Sequence, residues 1–180
     1  MSGGEPPELR PAELLAALLE RGVRFLVVGG VGAQLHGATR ATLDLDVCID
    51  WDRENFKRIA GALDDLGAVL DLPAEASDIE VRPSAELIGR MSMTRWRTSA
   101  GVVDVMHDIA AGEDGRRIPF GQLERRAVLV RGADTPVPVA ALDDIIVSKE
   151  NAGRDKDREA LPELYELRRH LQGEVQENHE

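Results

Sequence analysis

The chain has 180 residues, 43% hydrophobic and only 3% aromatic, with a formal net charge of −11 and a single cysteine, Cys48. That length suits one domain with a core of Leu, Val, Ile and Ala, and the acidic balance argues against broad nucleic-acid binding. A lone cysteine excludes an internal disulfide or a cysteine zinc cluster and fits a reducing compartment.

MSGGEPPELR (1–10) reads as a flexible tail without the basic flank and apolar stretch of a secretory signal. PAELLAALLERG (11–22) has apolar residues at helical spacing and ends on Gly22. VRFLVVGG (23–30) is an apolar run into Gly-Gly, a buried strand entering a tight turn. VGAQLHG is a short helix closed by Gly37. In LDLDVCID (43–50), Leu43, Leu45, Val47 and Ile49 share one face, and Asp44, Asp46, Cys48 and Asp50 the other.

DRENFKRIAGALDDLG (52–67) is an amphipathic helix with Asp52 as N-cap and Gly67 beyond its end. DIEVRP is expected as a strand and SAELIGR as a short helix. Residues 93–109 form a hairpin about Ser99-Ala100-Gly101. GEDGRR is a surface turn, FGQLERRA a two-turn helix, and VLVRGADTPVPVA two strands about a turn. Two helices follow, parted by Gly153-Arg154, with Pro162 expected to break the second. The fold class is α+β: a mixed sheet flanked by helices, with C-terminal helices. The expected divisions are a core at 11–139, a helical segment at 140–172 and a polar tail at 173–180. No apolar run reaches about 18 residues, so no transmembrane helix and no membrane partner are expected, and the simplest location is the cytoplasm. The arginines cluster as Arg90, Arg95 and Arg97, and as Arg116, Arg117, Arg125, Arg126 and Arg131. Both groups are expected to be solvated faces.

Two phosphate-binding motifs fail at the glycines. A dinucleotide fingerprint from Gly30 needs Gly where Leu35 stands, and a P-loop from Gly32 needs Lys where Ala38 stands. Gly29 and Gly30 still permit positive φ and a close approach of backbone N–H groups to an anion.

Asp44 and Asp46 point the same way because the strand period is two. Two carboxylates so close repel unless a cation lies between them, and two carboxylates plus substrate phosphates is a common way to hold Mg²⁺. Asp104, in GVVDVMHD, adds a third carboxylate from another strand, with Asp108 on the same face as the alternative. Such a set suits two Mg²⁺ ions, with Mn²⁺ as the alternative metal. Asp50, His36, His107, Cys48, Trp51 and Trp96 are expected to be solvated or packing residues.

Gly-Gly, thirteen residues, then Asp-Leu-Asp, with a later strand Asp, resembles the nucleotidyltransferase superfamily that includes DNA polymerase β. HGATRATLDLDV and ALDDIIVSKENAGRDKDREALPEL are similar to its bacterial branch of abortive-infection nucleotidyltransferase toxins, and the resemblance spans roughly residues 20–168. It implies that Gly29 and Gly30 contact the nucleotide phosphates, that Asp44 and Asp46 bind metal, and that Asp104 completes the site. It implies that Arg40 and Thr42 shape the phosphate site and that Lys149 contacts phosphate, with Arg154 and Lys156 as further candidates. Gly30 stands where many members have Ser, which removes one hydroxyl contact. The expected activity is transfer of NMP from an NTP to a hydroxyl on RNA (tRNA), protein or a small molecule, in a toxin with a cognate antitoxin as partner. The alternative is a catalytically weak nucleotide- or partner-binding module of the same fold.

Overall fold

The computed structural model describes residues 7–76, 79–111, 115–131 and 135–177, with side chains through 173. The order is α1 (Pro11–Glu20), β1 (Phe25–Val28), α2 (Gly29–Leu35), β2 (Asp44–Ile49), α3 (Arg53–Asp65), β3 (Val69–Leu70), α4 (Ala85–Arg90), β4 (Met93–Thr98) and β5 (Gly101–Met106). Then come β6 (Asp108–Ala110), β7 (Arg117–Pro119), α5 (Phe120–Glu124), β8 (Val128–Arg131), β9 (Pro136–Val139), α6 (Leu142–Ala152) and α7 (Asp155–Glu177). One 3₁₀ turn, Ala74–Ala76, lies between β3 and α4.

A seven-stranded sheet runs β3-β4-β5-β2-β1-β9-β8, and β6 and β7 form a separate ribbon. The large sheet is mixed: β2 pairs with β5 in parallel and with β1 in antiparallel sense, and β1 pairs with β9 in parallel. A strand flanked on both sides and covered by helices must bury both faces. Accordingly Leu45, Val47 and Ile49 are fully buried, as are Val27 and Val139 beside them in the sheet. Leu14 and Leu18 of α1 and Ile59 and Leu63 of α3 join the same core. α1 packs on α3, α2 packs on β1, β2 and α6, and α6 packs on α7.

Local chemistry sets the ends of these elements. Asp52 caps α3 by accepting from the N–H groups of Glu54 and Asn55, and Ser84 caps α4 by accepting from Leu87 N–H. Gly153, at φ 60°, ends α6 in the left-handed conformation and lets the chain reverse into α7.

Several expectations change. Leu43 is 83% exposed, because β2 begins only at Asp44 and residue 43 has no partner strand to pack against. Residues 79–83 form no strand, although Val81 C=O accepts from Leu70 N–H. Asp78 of DIEVRP lies outside the described residues. α5 is shorter than two turns. Pro162 sits inside α7 without ending it, between the buried anchors Ala160 and Leu164, and the helix runs on to Glu177, past the boundary expected at 172. Residues 112–114 of the expected GEDGRR turn and residues 132–134 between β8 and β9 fall outside the described residues, and Arg117, the last of GEDGRR, begins β7.

Candidate active site

The sheet register builds the site. On β2 and β5, Asp46 and Asp104 are direct partners, and on β4 and β5, Arg95 faces Asp104. Asp71, just past β3, donates its N–H to Arg95 C=O at 2.7 Å. Directly opposed residues share a face, so Asp46, Asp104, Arg95 and Asp71 form one row across the sheet. Asp44, two residues before Asp46, lies on that face as well.

Asp44 and Asp104 are buried, and Asp46 is partly buried. Arg95 Nη1 donates to Asp104 Oδ2 at 2.7 Å and to Asp44 Oδ2 at 3.1 Å, and its Nε lies 3.4 Å from Asp71 Oδ2. Burial, then the charges of Asp44 and Asp104, push the Asp46 carboxyl up to about 7, while Lys156 and Lys149 pull the other way. Burial also raises Asp104, with Arg95 opposing.

β1 delivers Gly29 directly against this row. Gly29 has φ 61°, and a Cβ there would lie 2.0 Å from Asp46 Oδ2, so only glycine fits. A Cβ on Gly30 would lie 2.5 Å from Thr42 Oγ1. Thr42 in turn donates its hydroxyl to Asp44 Oδ1 at 3.2 Å. The α2 helix starts at Gly29 itself, so its first N–H groups have no intrahelical partner.

Cationic side chains arrive from α6 and the start of α7. Lys149 Nζ donates to Asp157 Oδ1 at 3.2 Å, and Arg154 Nε donates to Asp157 Oδ2 at 2.6 Å. Burial alone would raise Asp157, but these hydrogen bonds and charges outweigh it and hold its carboxyl below the usual range. The charges of Lys149 and Lys156 act on Asp46, and Arg154 senses Asp46 and Asp44.

The structure therefore brings together Gly29, Gly30, Thr42, Asp44, Asp46 and Asp104, with Lys149, Arg154 and Lys156 within electrostatic range. Arg40 is turned elsewhere: its guanidinium pairs with Glu159 of α7. Asp108 pairs with Arg117 at 2.5 Å across the β6–β7 ribbon and is outside the row. His36 bonds Ala140 C=O at 2.8 Å and His107 bonds Ile88 C=O at 3.0 Å, both packing roles. Trp96 is buried with its Nε1 donating to Thr94 Oγ1, and Trp51, 61% exposed, packs edge-on against His107. Of the arginines expected on solvated faces, Arg126 pairs with buried Asp144 and Arg95 enters the site. The hairpin carries the signal for Arg95, because a turn at Ser99-Ala100 that pairs Thr98 with Gly101 also pairs 95 with 104.

Among the described residues no three His, Cys, Asp or Glu side chains converge as a preformed metal cluster, and Arg95 holds two of the three acids here. The donor set nonetheless fits a hard divalent cation. All donors are carboxylate oxygens, and Asp104 Oδ1 is buried without a hydrogen-bond partner among the described residues.

No protein-family model matches the chain, and no curated protein matches it in sequence. Solved structures match in fold. The lincosamide antibiotic adenylyltransferase LnuA, in a lincomycin-bound crystal structure, aligns with TM-score 0.61 at 15% identity over 89% of this chain and 99% of its own. The antibiotic-resistance factor ANT(2'')-Ia aligns with TM-score 0.55 at 14% identity over 93% of both chains. TM1012 of Thermotoga maritima, assigned as a nucleotidyltransferase, aligns with TM-score 0.54 at 20% identity over 87% of this chain and 94% of its own. The seven-stranded mixed sheet with its flanking and C-terminal helices is thus the fold of these nucleotidyltransferases.

Proposed function

We propose that the protein is a metal-dependent nucleotidyltransferase that moves a nucleoside monophosphate from an NTP to a hydroxyl group and releases pyrophosphate. The observation that carries this reading is the row in which Asp46 faces Asp104 across β2 and β5, with Asp44 on the same face and the Gly29 backbone packed against Asp46. Three acids crowded beside a glycine that admits no side chain make a poor packing solution and a good cation and phosphate site.

Asp44, Asp46 and Asp104 would hold Mg²⁺, as two ions, with Mn²⁺ as the alternative. When bound, the metal polarises phosphoryl oxygens and offsets charge on the leaving pyrophosphate. The chain's own groups do the rest. Gly29 and Gly30 let the triphosphate approach the backbone closely. Lys149, Arg154 and Lys156 supply positive charge against it. Asp104, whose Oδ1 has no partner among the described residues, takes the proton of the acceptor hydroxyl. The hydroxyl oxygen bonds to the α-phosphorus as the bond from that phosphorus to the pyrophosphate oxygen breaks.

The acceptor we favour is a small-molecule hydroxyl. LnuA is an adenylyltransferase of a lincosamide antibiotic, and ANT(2'')-Ia is known in complex with adenylyl-2''-tobramycin. A net charge of −11 also disfavours a polyanionic acceptor. The similarity of HGATRATLDLDV to the toxin branch supports a second reading, in which tRNA or a protein is the acceptor and an antitoxin is the partner.

The test incubates the protein with Mg²⁺ and each α-labelled NTP against hydroxylated antibiotics, total tRNA and bacterial lysate, beside Asp44→Ala/Asp46→Ala. Label on a small molecule with the unmutated protein alone is the expected result. Label on tRNA or protein moves the acceptor to the second reading. NTP binding without transfer reduces the protein to a binding module, and no binding of any NTP overturns the proposal.

A further inference from the structure

We propose that Arg95 is a resident counter-cation of the acidic row, displaced by the divalent metal and received by Asp71 when it leaves. This rests on the reading of Asp44, Asp46 and Asp104 as metal ligands.

A single nitrogen of Arg95 spans two acids from different strands, Asp104 at 2.7 Å and Asp44 at 3.1 Å. It covers Oδ2 of both. The remaining oxygen of Asp44 takes the Thr42 hydroxyl, and that of Asp104 has no hydrogen-bond partner among the described residues. A divalent cation that bridges these acids competes with the guanidinium for the same oxygens, because two positive charges drawn to one pair of carboxylates repel each other.

The surroundings allow the exchange. The Asp44 and Asp104 side chains are 10% exposed, whereas that of Arg95 is 38% exposed. The acids are fixed in the sheet while the guanidinium enters from the open side. The backbone of β4 is held by its pairing and by fully buried Trp96, so only side-chain torsions need change. Asp71, the next acid in the row, already lies 3.4 Å from Arg95 Nε and gives the departing charge a second anionic partner. Arg97 also reaches Asp71, at 3.3 Å, and holds that carboxylate on the same face. The site thereby carries its own positive charge when no metal is present, which relieves repulsion among crowded carboxylates. The consequence is a weaker apparent metal affinity, since the first ion to bind must break two charge-assisted hydrogen bonds.

The test is metal binding and stability, not turnover. Mg²⁺ and Mn²⁺ would be titrated calorimetrically into the wild type, Arg95→Met and Asp71→Asn, with melting temperatures of the metal-free and metal-loaded forms. Arg95→Met is expected to melt lower without metal, to bind metal at least about tenfold more tightly, as the loss of both competing contacts allows, and to gain more from loading. Asp71→Asn removes the receiving acid, so it is expected to bind metal more weakly than the wild type. Equal or weaker metal binding by Arg95→Met overturns the proposal and makes Arg95 a support that stays in place. If Arg95→Met fails to fold, Asp71→Asn decides alone, and unchanged or tighter binding there overturns it. Failure of the ligand reading looks different: neither the wild type nor either variant then binds metal, and the proposal falls with it.

Discussion

Thr42 fills the space that a side chain at Gly30 would need: a Cβ at position 30 would stand 2.5 Å from Thr42 Oγ1 and 2.6 Å from Thr42 Cβ. A serine at that position is therefore opposed by a hydroxyl already at that spot, reaching in from the loop before β2. Gly30→Ser is expected to cost about 1–3 kcal/mol, the range for overpacking a filled site. Thr42→Ala in the same chain should return most of that loss, so that the double-mutant cycle in urea shows strong coupling. Simple addition of the two single effects would show that the two positions do not compete.

Gly29 is constrained twice, by its φ of 61° and by Asp46 Oδ2 2.0 Å from any Cβ. Gly29→Ala should lower stability by about 1–3 kcal/mol through backbone strain and push Asp46 out of the row. Thermal melts would show the first effect, and loss of Mn²⁺ binding the second.

The metal-free protein should respond to pH through Asp46. Burial and the neighbouring acids raise its folded-state value from 3.8 to about 7. Between those values the unfolded chain releases the proton while the folded chain keeps it. Stability from this group is therefore fully present below about 4 and is lost as pH rises toward 7. Asp46→Asn removes the dependence. Its melting temperature relative to the wild type should climb across that window and level off above it, and a flat difference would exclude the mechanism.

Asp104 and Asp108 can be separated directly. Asp104→Asn should reduce metal binding and lower nucleotidyl transfer by at least about 100-fold, given several kcal/mol of transition-state stabilisation from the metal site. Asp108→Asn only frees Arg117 on the β6–β7 ribbon, so metal affinity and transfer should stay near wild type. Isothermal titration and single-turnover labelling give the two readings, and an inert Asp104→Asn would move the site elsewhere.

Much of the site was legible because its signals are local. The period of β2 places Asp44 and Asp46 on one face, and Gly-Gly marks the end of β1 where the chain meets them. The β4–β5 hairpin was legible from its turn. What escaped depends on cross-strand neighbours. Arg95 and Arg97 read as solvated charges until the strand order β3-β4-β5-β2 sets Arg95 between acids and brings Arg97 to Asp71. Arg40, beside D-x-D in sequence, is drawn instead to Glu159 on α7, far along the chain. The exposed Leu43 and the intact helix through Pro162 misled for a related reason. Alternation and proline rules describe isolated segments, and here the start of pairing and the buried anchors at 160 and 164 decide.

The loop between α2 and β2 is fastened to α7 at three points. Thr39 N–H and Oγ1 reach Glu163 Oε1 at 2.6 and 2.8 Å, and Arg40 pairs with Glu159. The C-terminal helix is thus a clasp on the segment that delivers Asp44, rather than an appendage to a finished sheet. A version trimmed after β9 would keep every acid of the row yet lose the fastening of the approach to it, together with Lys149 and Arg154. The unit that holds this approach in place consequently extends at least through Glu163.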